Sequence, residues 1–450
     1  MQQTKQSKNS ATLTFQDLSF AVEGNDLKVN LLRSFYLKIP LEELQEIGKF
    51  HLLSENELSF ENISQQKASL LFNSLLATYI PQLKNKLFNK QTVYVHKNSG
   101  IPLIGTTFIG MTDRNTSCIE IKPITGCNIN CVFCSVDEGI DSRKQVDFVV
   151  EKDYLIEEFK KLTEKKEIKQ VKEIKIKNKD IAEKDIKIKD GLKSLKNNQT
   201  SNFIDIYLNS HGEPTTYTQL PELIAGLKAV EKVRSISLIT NGTLLSKSKI
   251  DVLAAAGLTR INLSLNAVSQ EAANKAAGTT YNIEYVKSMA EYITQKLELV
   301  IAPVYLPGIN ENEIEEIIKF AKLLQEKAKF RVILGIQNFL PYSAGRNPLS
   351  GISMDEFRKR LEPLEKKYSI SLLSVPDDMQ FYETNALPKP FKKNDKVKAK
   401  IVSYGRFLSD RLAAAKDRAI LVPNCKAKVG DIITIKLTVD KHNIFYGREV

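Results

Sequence analysis

Three of the five cysteines of the chain lie in one short stretch, TGCNINCVFCSVDEG. Their spacing is C-x3-C-x2-C, at Cys127, Cys131 and Cys134. Thiolates at such short spacing are typical of a metal centre. A zinc site would normally need a fourth Cys or His ligand, but no other cysteine or histidine forms the second half of a zinc-ligand pair. An iron–sulfur cubane held by three cysteines leaves one iron without a protein ligand, and a reactive site requires such an open position.

The composition of the chain is that of an ordinary globular protein. Its 450 residues are 42% hydrophobic and 26% charged, which is enough for two or three domains. No apolar run has the length of a membrane span, and the polar N-terminus is unlike a signal peptide, so we expect a cytoplasmic protein with no membrane partner. Five cysteines, three of them crowded, make a secreted disulfide framework a poor explanation. The net charge of +12 favours a polyanionic partner, although lysine-rich surfaces often serve only solubility.

Much of the positive charge lies in a lysine-rich segment, residues 160–202. It holds fourteen lysines and seven acidic residues, with isoleucines spaced among the lysines. This low complexity favours a solvated insertion that is partly helical or disordered. A direct nucleic-acid arm is the alternative interpretation.

Short β-rich runs alternate with helical patterns around and after the cysteines. The predicted strands are 118–123, 203–208, 235–240, 261–267, 297–308 and 331–339, and the predicted helices are 218–231, 246–257, 269–277, 311–327 and 353–368. This alternation predicts βα units, a parallel sheet and the α/β fold class. Ligand sites of such sheets lie at the carboxyl ends of the strands. The cysteines, HGEPT, TNGT and Asn266 all follow strand ends, so we expect them to face one cavity.

The cysteine spacing, with Phe133 just before the last cysteine, resembles the radical S-adenosylmethionine (SAM) superfamily. HGEPT at 211–215 resembles the GEP motif that follows the second strand in this family, and TNGT at 240–243 resembles the usual end of the third. The motifs span residues 118–340 in the expected order. The resemblance implies a partial (β/α)6 barrel and a 4Fe–4S cluster whose open iron chelates the amino and carboxylate groups of SAM. It also implies one-electron cleavage of SAM to a 5′-deoxyadenosyl radical, which abstracts a hydrogen from the substrate.

The resemblance also assigns site residues by motif. The implied cluster ligands are Cys127, Cys131 and Cys134, and the implied SAM contacts are Phe133, Gly212, Glu213, Pro214, Thr240, Asn241, Ser264 and Asn266. No residue is assigned a catalytic role.

Physical chemistry gives most of these contacts a reason and a plainer alternative. Flanking glycine and proline give Glu213 an unusual backbone in which carbonyls or the carboxylate can meet an ammonium, but HGEPT is also compatible with an ordinary turn capped by Thr215. Ser264 and Asn266 lie two apart on a predicted strand and so share a face that suits ribose hydroxyls, or they are satisfied core polar groups. Phe133 is either near the adenine or a core aromatic. His211 is either a proton donor or only a loop residue.

The C-terminal tail, residues 395–450, predicts a small closed β-barrel. KVKAKIV, RAILVP and DIITIKLTV have the pattern of strands, with VGD as a turn. The ending VGDIITIKLTVDKHNIFYGRE resembles the TRAM domain, a small OB-like RNA-binding barrel. Basic and aromatic residues are mixed there, as suits looped or single-stranded RNA: Lys396, Lys398, Lys400, Arg406, Arg411, Lys416, Arg418, Lys426, Lys428 and Arg448, with Tyr404, Phe407 and Tyr446. A generic basic barrel is the alternative.

These patterns together predict a domain organisation. We expect an N-terminal α+β accessory region over 1–110, a radical SAM core over 111–375 that carries the lysine-rich insertion, a linker over 376–394 and the barrel over 395–450. The segment 337–351 follows the sixth strand and is placed to close the substrate opening.

The positions of the cysteines narrow the chemistry. The N-terminal region carries no cysteine, whereas radical SAM methylthiotransferases hold a second cluster there, which argues against methylthiolation. Cysteine-methylating RNA methylases of the superfamily need two further catalytic cysteines, and we expect neither Cys118 nor Cys425 to be catalytic. No cobalamin-binding signature is present. The segment TFIGMTDRNTSCIEIKPITGCNINCVFCSVDEG resembles an archaeal group of uncharacterised radical SAM proteins.

The preferred hypothesis is a radical SAM enzyme that modifies an RNA, most plausibly a transfer RNA, held by residues 395–450. A ferredoxin or flavodoxin is the expected electron donor. One alternative keeps the radical chemistry but takes a peptide, lipid or small metabolite as substrate. The other is a non-catalytic iron–sulfur RNA-binding protein. The fold alone does not choose among them, because one barrel supports many chemistries.

Overall fold

The described part of the N-terminal region contains two helices and the strands of two sheets. The computed structural model of the protein describes residues 10–167, 203–373 and 381–450. The first elements are β1 (Ser10–Thr14), β2 (Leu18–Glu23), β3 (Asp26–Leu31), β4 (Phe35–Pro40), α1 (Leu41–Gln45), β5 (Phe50–Ser54), β6 (Glu57–Glu61), α2 (Gln65–Tyr79), β7 (Lys84–Asn85) and β8 (Gln91–Val95). β1, β6 and β5 form one sheet, and the other five strands belong to a second. Phe20, Phe60 and Phe72 join β2, β6 and α2 in one aromatic cluster.

The central part of the chain alternates strands and helices. Its elements are β9 (Gly110–Asp113), β10 (Cys118–Lys122), β11 (Thr125–Gly126), β12 (Val146–Val150), α3 (Lys152–Glu164), β13 (Ile204–Leu208), β14 (His211–Gly212), α4 (Leu220–Lys228), β15 (Val233–Thr240), α5 (Lys247–Ala255), β16 (Arg260–Leu263), α6 (Gln270–Ala277), α7 (Ile283–Ile293), β17 (Glu298–Ile301), β18 (Val304–Tyr305), α8 (Glu313–Lys327), β19 (Val332–Leu334), β20 (Gln337–Asn338) and α9 (Met354–Tyr368). Ser246, Asn282 and Ser353 start α5, α7 and α9, since each side chain accepts an amide hydrogen bond in the first turn.

The central sheet has the order β19-β17-β16-β15-β13-β10-β9. The six strands from β10 to β19 run parallel in sequence order, and β9 lies antiparallel at the edge. Helices connect the parallel strands, which is the pattern of βα units. The α/β class and the partial (β/α)6 barrel predicted from the sequence are confirmed.

The two faces of the parallel sheet differ in polarity. Ile206, Leu238 and Ile261 are fully buried on the face covered by helices. The opposite face carries polar side chains, among which Arg260 and Glu298 form an ion pair at 2.7 Å. These charges lie near the amino ends of their strands, whereas ligand sites of such sheets lie at the opposite, carboxyl ends.

Several elements differ from the sequence prediction. The fourth parallel strand ends at Leu263, so Ser264 and Asn266 follow it rather than lie on it. The helix Ile283–Ile293 was not predicted. β12, which lies within the predicted core, pairs in parallel with β8 and completes the second N-terminal sheet. Tertiary pairing of this kind leaves no mark in the local apolar pattern.

The C-terminal strands close into a five-stranded barrel. The strands are β21 (Lys396–Tyr404), β22 (Arg411–Ala415), β23 (Arg418–Val422), β24 (Ile432–Val439) and β25 (Tyr446–Glu449), in the closed order β21-β22-β23-β25-β24. Ile401, Ile420 and Phe445 are fully buried inside it. The predicted small closed barrel is confirmed, and β22 and β25 are additional to the predicted strands.

Parts of several predictions lie outside the described residues, among them positions 1–9 of the expected N-terminal region and positions 374–375 of the expected core. Positions 168–202 of the lysine-rich segment and positions 376–380 of the expected linker are also outside them. In the ranges that the structure covers, every helix is too short or too polar to cross a membrane.

Candidate functional site

The three clustered cysteines lie on a loop beyond the carboxyl end of β10. The loop is fixed to the end of α6, because the amide of Asn130 donates to the carbonyl of Ala277 (3.0 Å) and the amide of Val132 donates to that of Ala276 (3.1 Å). Gly278, in the left-handed region at φ 62°, ends α6 below this loop. A Cβ there would lie 2.2 Å from the carbonyl oxygen of Asn130, so only glycine permits this close approach.

The predicted site residues surround one open cavity of about 340 Å³. Its lining includes the three cysteines and seven of the eight expected SAM contacts: Phe133, Gly212, Glu213, Thr240, Asn241, Ser264 and Asn266. Pro214 is buried outside this lining. Motifs that are more than 130 residues apart in sequence therefore meet at the carboxyl ends of the strands, as the parallel sheet requires.

The surrounding protein desolvates the thiols of Cys127 and Cys131, and hydrogen-bond donors lie near the sulfurs of the cysteine loop. Burial raises the pKa of Cys127 well above its ordinary value, with the carboxylate of Glu213 adding to the effect. Burial likewise raises the pKa of Cys131 to about 12. The amide of Glu138 donates to Sγ of Cys134 at 3.3 Å, and Nδ2 of Asn241 lies 3.8 Å from Sγ of Cys127. Such donors to sulfur stabilise and tune a thiolate-held cluster.

The arrangement suits a cluster better than one ion. Within residues 10–167, 203–373 and 381–450, no three His, Cys, Asp or Glu side chains converge closely enough to hold a single metal ion. A cubane does not need that convergence, because each thiolate binds a different iron. The donor set, three cysteine sulfurs facing a cavity with amide donors beside two of them, fits a 4Fe–4S cluster.

The GEP turn is held by a close backbone contact and by the side chain of Glu213. Gly212 has φ 141°, and a Cβ there would lie 2.0 Å from the carbonyl oxygen of Gly126. Oε1 of Glu213 accepts from the amide (3.0 Å) and hydroxyl (2.6 Å) of Thr215 and from the hydroxyl of Thr240 (2.7 Å), and Oε2 accepts from the amide of Asn241 (2.8 Å). The carboxylate therefore ties the ends of β13 and β15 together. It, rather than Thr215, caps the short turn that follows.

Polar residues at the carboxyl ends of the next strands line the cavity and also form hydrogen bonds that hold the strand ends in place. The hydroxyl of Thr240 donates to Glu213, and the hydroxyl of Tyr281 donates to the carbonyl of Asn241 at 2.6 Å. Oδ1 of Asn266 accepts from the amide of Val304 (2.9 Å), and its Nδ2 donates to the carbonyl of Ser264 (3.1 Å). The side chain of Asn266 thus fixes a strand end while also lining the cavity.

His211 does not carry the extra proton that a general acid would donate. Desolvation lowers its pKa well below the ordinary value, and Lys122, Lys144 and Arg406 act in the same direction. The imidazole is therefore neutral at physiological pH. His211 also lies outside the lining of the cavity.

Sequence reasoning missed several residues in and around this site. Arg346 donates from Nε to Asp137 (2.8 Å) and from Nη1 to the carbonyl of Asn130 (2.9 Å), which pins the segment after β20 onto the cysteine loop. Ser210, Glu138 and Tyr281 also line the cavity. Arg346 lies in the segment 337–351, Glu138 lies in the cysteine stretch TGCNINCVFCSVDEG and Ser210 directly precedes HGEPT, whereas Tyr281 carries no motif signal.

One predicted RNA contact in the barrel is wrong. Arg406 is only 4% exposed and its guanidinium faces the buried carboxylate of Glu138, so it is withdrawn from the surface. The cations Lys396, Lys398 and Lys400 are exposed, because the strict alternation of β21 turns every second residue outward.

Comparison with known proteins agrees with this geometry. The model of the radical SAM superfamily matches residues 121–321. An uncharacterized protein of Methanocaldococcus jannaschii is 32% identical, with 94% of this chain and 95% of that protein covered. A "Probable GTP 3′,8-cyclase" of Saccharolobus islandicus is 37% identical over 115 residues, which cover 25% of this chain and 35% of the cyclase.

Solved structures resemble the chain more distantly. A structure of TYW1 with a lysine–pyruvate adduct bound is 19% identical at a TM-score of 0.35, with 62% of this chain and 80% of that chain covered. A 4Fe–4S cluster and SAM, the cofactors expected from the sequence, are those of the matched superfamily. The superfamily match over the cysteine loop and the sheet, together with the nearly full-length relative, shows that the chain belongs to the radical SAM superfamily of enzymes.

Proposed function

We propose that the protein binds a 4Fe–4S cluster through Cys127, Cys131 and Cys134 and uses it to cleave SAM and modify an RNA, specifically a transfer RNA. The observation that carries the first part is the single cavity in which the three cysteines and seven motif residues meet. The bound cluster would supply one electron to the sulfonium of SAM and so release a 5′-deoxyadenosyl radical. A ferredoxin or flavodoxin is the proposed source of that electron.

The chain's own residues would position the cofactors. The amide donors of Glu138 and Asn241 face sulfurs of the cysteine loop, and Glu213 keeps the GEP turn in place. Gly212 brings the backbone of this turn against the cysteine loop, where no side chain intervenes. Phe133 lines the cavity and packs against the apolar cluster of Ala276, Leu306 and Phe339, so it provides an apolar wall for a planar ring.

The barrel surface supports a polyanionic substrate. Lys396 is paired in register with Lys436, and Lys436 with Arg448. Like charges directly opposite one another destabilise a sheet unless an external anion compensates them. Within the described residues, none of these cations, nor Lys398 and Lys400, forms an ion pair with an acid. A row of cations on a small barrel is suited to the phosphates of a nucleic acid.

One of the barrel aromatics, Tyr404, lies where an unpaired base can stack. Tyr404 lies under the guanidinium of Arg411 at 4.8 Å from centroid to Cζ, and both are only partly buried. A cation–aromatic pair of this kind offers a stacking surface for an unpaired base. We therefore propose the TRAM-like role for residues 395–450, with looped RNA as the ligand.

The experiment that tests the proposal is an anaerobic assay. The protein is reconstituted with iron and sulfide and reduced with dithionite, and 5′-deoxyadenosine is measured with and without bulk transfer RNA. Cleavage that RNA stimulates supports both parts of the proposal. Cleavage that ignores RNA contradicts the RNA substrate and favours a peptide, lipid or small metabolite. A formed cluster without SAM cleavage contradicts the enzymatic function and favours an iron–sulfur RNA-binding protein.

A further inference from the structure

One loop of the C-terminal barrel reaches the back of the cysteine loop. It joins β21 to β22 and carries Arg406. The main-chain carbonyl of Arg406 accepts from the amides of Gln145 (3.0 Å) and Val146 (3.2 Å). The amide of Leu408 donates to Oε1 of Gln145 at 3.0 Å. The barrel is therefore docked on the segment that follows the third cysteine of the motif.

The guanidinium of Arg406 completes a buried group of four charges. Its Nη2 donates to both carboxylate oxygens of Glu138 at 2.8 Å and lies 3.2 Å from Oδ1 of Asp147. Nζ of Lys144 donates to Oε1 of Glu138 at 2.7 Å. All four residues are less than 9% exposed. Two cations and two anions balance one another, and removal of one member would leave an uncompensated buried charge.

Glu138 connects this charge group to the third cysteine. Its amide donates to Sγ of Cys134, and the residue also lines the cavity. Arg406 and Lys144 hold the carboxylate of Glu138, and this side chain in turn fixes the position of the amide of the same residue. Hydrogen bonds to the sulfurs and nearby charge are two of the factors that set the reduction potential of an iron–sulfur cluster.

We infer that Arg406 is a positioning residue of the cofactor site: through Glu138, the C-terminal barrel sets the reduction potential of the cluster that the three cysteines hold. The inference rests on the proposed function, since it presupposes a cluster. It gives the barrel a role beyond contact with a polyanion, because the barrel supplies Arg406, the second cation of the buried charge group. Loss of the barrel's contact would change the redox behaviour of the core.

The test compares Arg406→Met, Glu138→Gln and the double variant in the full chain. Readouts are iron and sulfide per chain and the midpoint potential from a redox titration followed by electron paramagnetic resonance. Arg406→Met leaves an excess negative charge beside the cluster, where Lys144 still pairs with Glu138, so the potential falls. Glu138→Gln leaves an excess positive charge, so the potential rises. The double variant restores neutrality and lies closer to wild type than either single variant.

Arg418→Met is the matched control. Arg418 is a half-buried arginine of the same barrel whose hydrogen bonds go to Asn443, Asp417 and Pro388, away from the cysteine loop. Loss of this guanidinium perturbs the barrel, but the midpoint potential of the cluster should remain that of wild type. Opposite shifts in the two single variants cannot come from general loosening, which moves both in one direction.

Single variants whose potentials do not move, or move in the same direction, overturn the inference. If Arg406→Met does not fold, the double variant carries the test, since the two charges that remain in the buried group, those of Lys144 and Asp147, are opposite and cancel. A double variant with the potential of Glu138→Gln alone overturns the inference. A wild-type chain that binds no iron and sulfide overturns the proposed function as well, so the two failures are distinguishable.

Discussion

Replacement of Glu213 should loosen the wall of the cavity that the GEP turn forms. The carboxylate is buried, and four donors from Thr215, Thr240 and Asn241 converge on it. Two of the donors are hydroxyls, which can rotate towards other acceptors. The other two are the main-chain amides of Thr215 and Asn241, whose directions are fixed by the turn.

The magnitude follows from those two amides. In Glu213→Ala each loses its acceptor, and a buried donor left unsatisfied costs about 1–3 kcal/mol. Because 1.4 kcal/mol corresponds to a factor of ten, local opening at each amide should become roughly 5- to 150-fold more frequent. The loss falls on the turn rather than on the whole chain, since only the ends of β13 and β15 share this carboxylate.

Hydrogen–deuterium exchange of the full chain, read by mass spectrometry, measures this effect. Peptides that contain Thr215 and Asn241 should exchange faster in Glu213→Ala, whereas peptides of the C-terminal barrel should be unchanged. Glu222→Ala, at an exposed position of α4, is the matched control and should exchange like wild type. Unchanged exchange at both amides in Glu213→Ala would refute the assignment of the carboxylate as the tie between the two strands.

Three further predictions concern neighbouring features. Gly212→Ala places a Cβ 2.0 Å from the carbonyl oxygen of Gly126, so the reconstituted variant should hold less iron per chain than wild type, and equal iron would contradict the close approach. The pKa of His211 is lower in the folded protein than its ordinary value of 6.5. The neutral imidazole therefore contributes stability that is complete above pH 6.5 and is lost as the pH falls below that value. The urea midpoint of His211→Gln should accordingly fall less than that of wild type between about pH 7.5 and about pH 5.5. A steeper fall in the variant would reverse the sign and refute the neutral imidazole. Replacement of both Lys398 and Lys400 by Gln should weaken the salt dependence of binding to single-stranded RNA. The slope of log affinity against log salt, measured by fluorescence anisotropy, should decrease by about 0.7 per lost phosphate contact. An unchanged slope would show that these lysines do not contact the RNA.

The sequence predicts the catalytic half of the molecule well because its signals are local. The three cysteines lie in one loop, and the apolar runs that end at HGEPT and TNGT are short and buried. In a parallel sheet the carboxyl ends of the strands must meet, so the cavity follows from the order of the elements. The closed barrel follows likewise from alternation in β21 and β24.

The contacts that hold the cysteine loop could not be predicted in this way. Arg346 and Arg406 lie more than 200 residues from the loop in sequence, and each reaches it only through tertiary packing. A surface role for Arg406 was the natural expectation from its basic neighbours, but its acidic partners Glu138 and Asp147 are far away along the chain. Burial of a charge depends on such partners, which composition and periodicity do not reveal.

Cleavage of SAM by the Cys131→Ala variant tests the central claim most directly. The measurement is 5′-deoxyadenosine formed by the reconstituted, reduced protein under anaerobic conditions, with RNA binding followed in parallel. Cys118→Ala is the matched control, because Cys118 is a buried thiol of β10 that does not line the cavity. The account predicts that wild type and Cys118→Ala cleave SAM, whereas Cys131→Ala does not and still binds RNA through the barrel. Wild-type levels of SAM cleavage by Cys131→Ala would contradict the assignment of the cysteine loop as the cluster site.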